Sequence, residues 1–504
     1  MLKIWDHKFN FIMFLLIVTF LIIILPNRLE VIKLIKNPHI NILKIILPLI
    51  LISGISLEFL GLYKNKNKFI FPFSLILSVF IISFLMFPNF PRRILWPDSG
   101  TYINHYATRG IIYPYFIDLF VPNASTQSSQ TAFEILSWVQ WIIFTAMTTF
   151  FMLFLRKIFI LGGILFPILL VGYQILFPNG YLISLLWEDV NSILTEGLSH
   201  SWLVGLVVLS LLCNKYKNSI LYLIFIGLYC YLGIELAPRM IIFNLIIILP
   251  IILSVYEEKK ITFRSLYPLI IFMILFFGRC AYTKKHYGTF STLPFAGISY
   301  ISMTFQFADK NSVELFSDLK EKNFIKCGME AAANYYVKEK DLKHFINPLI
   351  TASFACYQST ISKLPDNVEK KYLLVNEYND KIYKKVLLNK SVFTRWMTWT
   401  FSEIKSLYTQ NSYISFYHLL FFFILLITLL FSTKISYLQK YFSYFLICTL
   451  LILINFLNLF FTISSQGVLP RYLISGDLLI PIVCSIFILT ILKIFLAQKK
   501  DYKI

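Results

Sequence analysis

Charged residues are scarce in this chain. They make up 14% of its 504 residues, where a soluble domain carries roughly a quarter. There is too little polar side chain to cover a single soluble globule. Glycine and proline are few, 18 and 19 against 50 Phe, which excludes a collagen-like or disordered chain. The seven cysteines form no Cys-x-x-Cys pair and no His/Cys cluster, so zinc-finger and thioredoxin-type motifs are absent. Short alternating segments, the mark of a membrane β-barrel, are also missing. No internal repeat is visible by inspection.

Long uncharged apolar runs are what the chain does have, from residue 9 to residue 496. A spanning helix needs about 20 mostly apolar residues, and backbone groups in lipid find partners only within their own helix. Twelve runs qualify: 9–25, 43–62, 69–88, 135–155, 158–178, 192–213, 219–236, 239–256, 264–282, 413–432, 441–463 and 472–496. Lys3 and Lys8 precede the first run, and Leu25-Pro26-Asn27-Arg28 ends it without a small-residue cleavage site, which reads as an uncleaved span. The expected fold is an all-α polytopic membrane protein with about 12 transmembrane helices. Its parts are a module 1–282 of about nine spans with an outer loop 89–134, a mostly helical extracytoplasmic domain 283–412 between spans 9 and 10, and a three-span module 413–504.

Lys and Arg in short loops set orientation. With the N-terminus inside, the cytoplasmic side receives Lys3, Lys8, Lys64, Lys66, Lys68, Arg156, Lys157, Lys215, Lys217, Lys259, Lys260, Arg264, Lys434, Lys440, Lys499, Lys500 and Lys503, which is 17. The outer short loops receive Arg28, Lys33, Lys36, Lys44, Arg92, Arg93, Arg109, Arg239 and Arg471, which is nine. Both termini are therefore expected in the cytoplasm. The net charge of +20 is topology signal and affinity for anionic membrane lipids; no concentrated basic face suggests nucleic acid.

The segment 283–412 holds 18 Lys and Arg against 12 Asp and Glu. Asn311-Ser312 is expected to cap a helix carrying Leu315, Phe316 and Leu319. Tyr372, Val375, Tyr383 and Leu387 recur at helical spacing, and an interfacial helix is expected before the next span. Cys327 and Cys356 are the two cysteines of this segment, either bridged in an oxidising compartment or buried as free thiols.

An ionisable residue in a span is costly and is a functional hypothesis by default. Glu196, Glu235, Arg239, Arg279 and Asp477 all fall toward the outer ends of their spans, Glu58 toward an inner end. A transporter shows charges near the midplane, often in symmetric halves; this layering suits an enzyme whose substrate head group sits at the outer face. The outer loop reads Pro97-Asp98-Ser99-Gly100-Thr101-Tyr102 and then Arg109-Gly110 and Tyr113-Pro114. Asp98 is a helix N-cap in the plain structural reading and a general base in the functional one. Next come Glu188 and Asp189, then Thr195-Glu196-Gly197-Leu198-Ser199-His200 opening a span. On one helix Asp189, Glu196 and His200 would share a face. Plainly read, Glu188 and Asp189 complement a helix dipole while Glu196 and His200 bond to each other. Arg239 and Arg471, the latter followed by Tyr472, either meet lipid phosphate at a helix end or hold the phosphate of a bound donor.

These motifs (PDSGTY with a following RG and YP, LTEGLSHSWL, PR before a span, and LPRYL) resemble the GT-C superfamily of integral-membrane glycosyltransferases that use polyprenyl-phosphate-linked sugars. The family's acidic loop commonly follows the first span; here it follows the third. The resemblance implies transfer of a sugar from the lipid-linked donor to an acceptor hydroxyl on a glycan, lipid or protein at the extracytoplasmic face of a bacterial inner membrane, with inversion. Asp98 would take the hydroxyl proton, and Arg239 or Arg471, with Arg92, Arg93 or Arg109, would stabilise the departing phosphate. Glu188, Asp189, Glu196 and His200 would bind substrate hydroxyls, and the acidic ones a divalent cation instead if one is used. Trp96, Tyr102, Tyr113 and Tyr115 are candidate sugar platforms or members of an interfacial aromatic belt. A cell-envelope polysaccharide polymerase or ligase, and a lipid or solute transporter, are the rival readings.

Overall fold

The computed structural model describes residues 78–83, 85–86, 102–103, 111–122, 133–159, 162–176, 186, 189–190, 192, 195–294, 296–338, 346–409, 416–466 and 470–501. All regular structure among them is helical. In chain order come α1 (Ile112–Phe120) and α2 (Glu134–Ile158). They are followed by α3 (Leu165–Leu176), α4 (Thr195–Tyr216) and α5 (Ile220–Leu236). The 3-10 turns Pro238–Ile241 and Phe243–Ile248 run into α6 (Leu249–Glu258), and the turn Phe263–Leu266 runs into α7 (Tyr267–Tyr287). A helical domain comprises α8 (Ala296–Phe307), α9 (Lys310–Glu314), α10 (Leu319–Lys338), α11 (Ile346–Thr360), α12 (Val368–Leu387) and α13 (Lys390–Thr409). The chain closes with α14 (Phe416–Lys434), the short α15 (Ser436–Gln439), α16 (Phe442–Gln466) and α17 (Pro470–Asp501).

Among the described residues, six helices are long and apolar enough to cross a membrane: Glu134–Ile158, Thr195–Tyr216, Pro238–Glu258, Phe263–Tyr287, Phe442–Ser464 and Ser475–Ala497. Ile220–Leu236 and Leu420–Lys434 are shorter apolar helices. The described residues are thus those of a helical membrane protein. The expected spans 9–25 and 43–62, with Glu58, lie outside the described residues. The run 158–178 is not one continuous helix. Residues 162–164 form a turn and α3 has 12 residues, about 18 Å of helix. At Gly162 the chain folds back onto the end of α2 so closely that a Cβ would sit 2.2 Å from the Leu155 carbonyl carbon.

Short connections make successive helices antiparallel, and cross-helix bonds fix their register. Trp202 Nε1 donates to the Tyr229 carbonyl at 2.8 Å and Tyr229 OH to the Trp202 carbonyl at 3.0 Å, joining α4 to α5. Cys448 Sγ meets the Val483 carbonyl between α16 and α17. Following this alternation, the first turn of α4, the last of α5, the end of α7, the helical domain and the start of α17 share one end of the bundle, here the upper end. The lower end holds Arg156, Lys157, Lys215, Lys217, Lys259, Lys260, Arg264, Lys434 and Lys440. Among them, Lys217 pairs with Glu257. Lys493 donates to the Ile158 carbonyl at the end of α2, where unpaired helix carbonyls attract cations.

Helix α4 is the hub. Its apolar window is 89% buried, against 22% for that of α7. Small residues explain this, since close approach of backbones is what holds spans together in lipid. A Cβ on Gly233 of α5 would lie 2.3 Å from the Trp202 ring of α4. By contrast α7 turns Ile274 and Phe277 outward, 66% and 46% exposed.

The helical domain has its own core, including Ile298, Phe305, Phe324, Cys356, Val375 and Val392. Cys327 and Cys356 are bridged, tying α10 to α11 across 29 residues. Asn376 donates to the Tyr287 and Pro294 carbonyls, both at 2.8 Å, and so fastens α12 to the end of α7. That end is set by Gly288 at φ 78, a left-handed helix stop that glycine adopts without steric cost. The cap of α9 differs from the expected Asn311-Ser312. Asp309 is the cap: its carboxylate accepts the Ser312 N–H at 2.8 Å and Ser312 Oγ accepts the Asp309 N–H at 3.0 Å. Leu319 opens the next helix and is 69% exposed. Helix α12 follows the expected spacing, opened by Asn367, which accepts the Lys370 N–H at 2.9 Å.

Candidate functional site

The upper end of the bundle collects charge from six segments. Glu196, in the first turn of α4, is 3% exposed, and its Oε1 lies 3.0 Å from Arg239 Nη1 in the turn after α5. Thr195 Oγ1 donates to the other Glu196 oxygen at 3.2 Å, and Tyr102 OH lies 3.4 Å from that hydroxyl. A second pair joins Glu235, the last acidic residue of α5, to Arg279 of α7 at 3.6 Å, with Tyr231 OH donating to Glu235 at 2.5 Å. Arg279 also donates to the Thr292 carbonyl at the edge of the helical domain.

Beside the first pair lies a buried chain of hydrogen bonds. Asp189 Oδ2 is 2.8 Å from His200 Nε2, and His200 Nδ1 is 3.4 Å from Ser475 Oγ of α17. Burial pushes the Asp189 carboxyl up from its ordinary value, and the bond to His200 pulls against this without cancelling it. The three side chains are 3%, 0% and 0% exposed. The group therefore binds three segments together rather than presenting a nucleophile to water.

The expectation of a shared helical face for Asp189, Glu196 and His200 is not met. Helix α4 begins at Thr195, and Asp189 belongs to the segment before it. That segment lies across the first turn of α4 because residue 197 is glycine: a Cβ there would meet the Asp189 carbonyl at 2.9 Å. His200 consequently bonds Asp189, and Glu196 bonds Arg239. Gln140 of α2 holds the same segment from the other side. Its Nε2 donates to the Val190 and Ser192 carbonyls at 3.1 and 2.8 Å, while its Oε1 accepts from Tyr113 OH at 2.9 Å.

Tyr102 and Tyr113 are buried, 6% and 0% exposed, with rings edge-to-face at 5.3 Å. Both are enclosed by protein, Tyr113 on Gln140 and Tyr102 beside Thr195, whereas Tyr115 is 65% exposed. Asp98, Arg92, Arg93, Trp96, Arg109 and Glu188 lie outside the described residues. Arg471 and Tyr472 fall in the first turn of α17, their side chains outside what is described. Among the described residues, no group of three or more His, Cys, Asp or Glu could hold a metal ion. Asp477 is 6% exposed, two residues beyond Ser475, and has neither a hydrogen bond nor an ion pair among the described residues.

Gln140 and Ser475 escaped sequence reasoning. Gln140 gives a weak signal as an amide within an apolar run; Ser475 gives none. Comparison with protein-family models, curated proteins and solved structures finds no match to this chain.

Proposed function

We propose that this protein is an integral-membrane glycosyltransferase that takes a sugar from a polyprenyl-phosphate donor and delivers it to an acceptor hydroxyl at the extracytoplasmic face. The observation that carries this reading is that the four buried acidic side chains among the described residues, Asp189, Glu196, Glu235 and Asp477, all lie at the upper end of the bundle beside the helical domain, two of them paired with Arg239 and Arg279. A lipid-linked sugar presents its phosphate and first ring at that level. The bridged Cys327 and Cys356 suit an oxidising compartment on that side. The basic lower loops suit the cytoplasm, with both termini inside and about 12 spans in the full chain.

In this mechanism Asp98 accepts the proton of the attacking hydroxyl as the bond from the anomeric carbon to phosphate breaks. The negative charge left on the lipid phosphate calls for guanidinium. Arg239 is already partly neutralised by Glu196, so Arg471, at the start of α17, carries more of that task. Asp477 is a second acidic group at this level, because a carboxylate in a span with no partner among the described residues marks function by default.

Membranes containing the protein, supplied with labelled polyprenyl-phosphate sugars, are expected to transfer label to acceptor. Asp98→Asn is expected to insert normally and to lose transfer. Product analysis separates single-sugar addition from the polymer extension of a polymerase or ligase. Failure of the wild-type protein with both hexose and pentose donors would overturn the reading.

A further inference from the structure

Helix α13 carries two apolar faces where a soluble helix carries one. Its inner face holds Val392 and Thr400, both 0% exposed. A second stripe, Phe393, Met397, Phe401 and Ile404, recurs at steps of four, four and three, the spacing of one helical face. Phe393 is 45% and Phe401 59% exposed. Such aromatic side chains facing out on one stripe of a folded helix call for a partner.

The height of this stripe is fixed by a spanning helix. Trp396 Nε1 donates to the Ser464 carbonyl of α16 at 2.8 Å. The Phe401 ring lies 5.9 Å from that of Phe460 on the same helix. Five residues forward along α13 thus match four residues back along α16. Ser464 is the last residue of the apolar span Phe442–Ser464. Four residues of helix are about 6 Å, so Phe401 lies roughly one turn below the upper limit of that span. Phe393, two turns earlier, lies above it. Beside Phe460, Phe461 is 48% exposed, so the stripe of α13 continues the outward surface of a membrane helix. The exposed cations Lys390 and Lys405 border it, as they do on helices that lie in the head-group layer.

We propose that α13 is a membrane-embedded ramp: its first half rests in the lipid head groups of the upper leaflet, and its second half enters the acyl layer alongside α16. The occupant of the stripe is bilayer lipid with an anionic fraction, attracted by the flanking lysines. The proposal does not depend on the transferase reading.

Nitroxide labels at F393C and F401C, with K381C on exposed α12 as the aqueous reference, test it in the full-length protein in nanodiscs of phosphatidylcholine and phosphatidylglycerol. The unsubstituted protein gives the background from native cysteines. Collision with oxygen relative to a water-soluble nickel chelate is expected to rise in the order K381C, F393C, F401C, with F401C several-fold above the reference. Aqueous accessibility at F401C would overturn the proposal. Protection of both sites from oxygen and nickel alike would also overturn it, since it would place protein over the stripe.

Discussion

At the scale of single residues, the paired charges decide most. Glu196 and Arg239 are 4% and 16% exposed at their side chains, so removing one leaves the other poorly solvated. Breaking a buried pair costs about 3–5 kcal/mol. Glu196→Ala and Arg239→Ala are each expected to lower the melting temperature in detergent sharply, and the double substitution by less than their sum. Additive losses would mean that the two do not interact in solution. Asp309 offers a milder case. Its burial raises the carboxyl, but hydrogen bonds from Ser312 and the charge of Arg395 outweigh this and hold it below the usual range. A depressed carboxyl stabilises the fold in full above its unfolded value of about 3.9 and loses that contribution as pH falls through the folded value. Asp309→Ala is therefore expected to cost about 1 kcal/mol near neutrality and to flatten the acid limb of stability against pH, as followed by far-ultraviolet circular dichroism.

At the scale of helices, contact between α4 and α5 rests on small residues facing large ones. The Trp202 ring lies close against the backbone at Gly233 and stacks with Tyr229 at 5.9 Å. A methyl group at 233 meets ring carbons that are fixed by the Trp202–Tyr229 hydrogen bonds. Gly233→Ala is expected to destabilise by about 1–3 kcal/mol, the usual cost of overpacking, whereas Gly278→Ala, where a Cβ meets nothing within 4 Å, is expected to be neutral or better. Thermal unfolding of the two variants in one detergent distinguishes packing from a general penalty on helix glycines. Legibility differs between such elements. The long spans of α2, α4, α16 and α17 were readable because length and hydropathy alone require a helix in lipid. The break after residue 158 was not, because the Gly162 turn depends on where the end of α2 lies.

At the scale of the whole molecule, one end of the bundle carries the helical domain and the buried carboxylates, and the other carries the basic loops. The Cys327–Cys356 bridge closes a loop of 29 residues, which corresponds to about 3–4 kcal/mol of chain-entropy stabilisation. Replacing both cysteines with serine is expected to lower domain stability by that order in urea unfolding. An impermeant maleimide applied to intact cells is expected to label a cysteine at Lys384 and to miss one at Lys440. The opposite pattern would invert the protein in its membrane and place the charged layer in the cytoplasm.

Composition and hydropathy by themselves determined that the chain is a helical membrane protein with a large polar helical insert, because the bilayer admits few solutions to backbone hydrogen bonding. They also marked Glu196, Asp189, His200, Arg239 and Asp477 as residues needing an explanation, because burying charge in lipid is costly wherever it occurs. Only the tertiary structure decided who pairs with whom. Asp189 reaches His200 because Gly197 lets a preceding segment cross α4, and Glu196 is thereby left to Arg239. Such pairings depend on distances across helices far apart in sequence, and no local pattern encodes them.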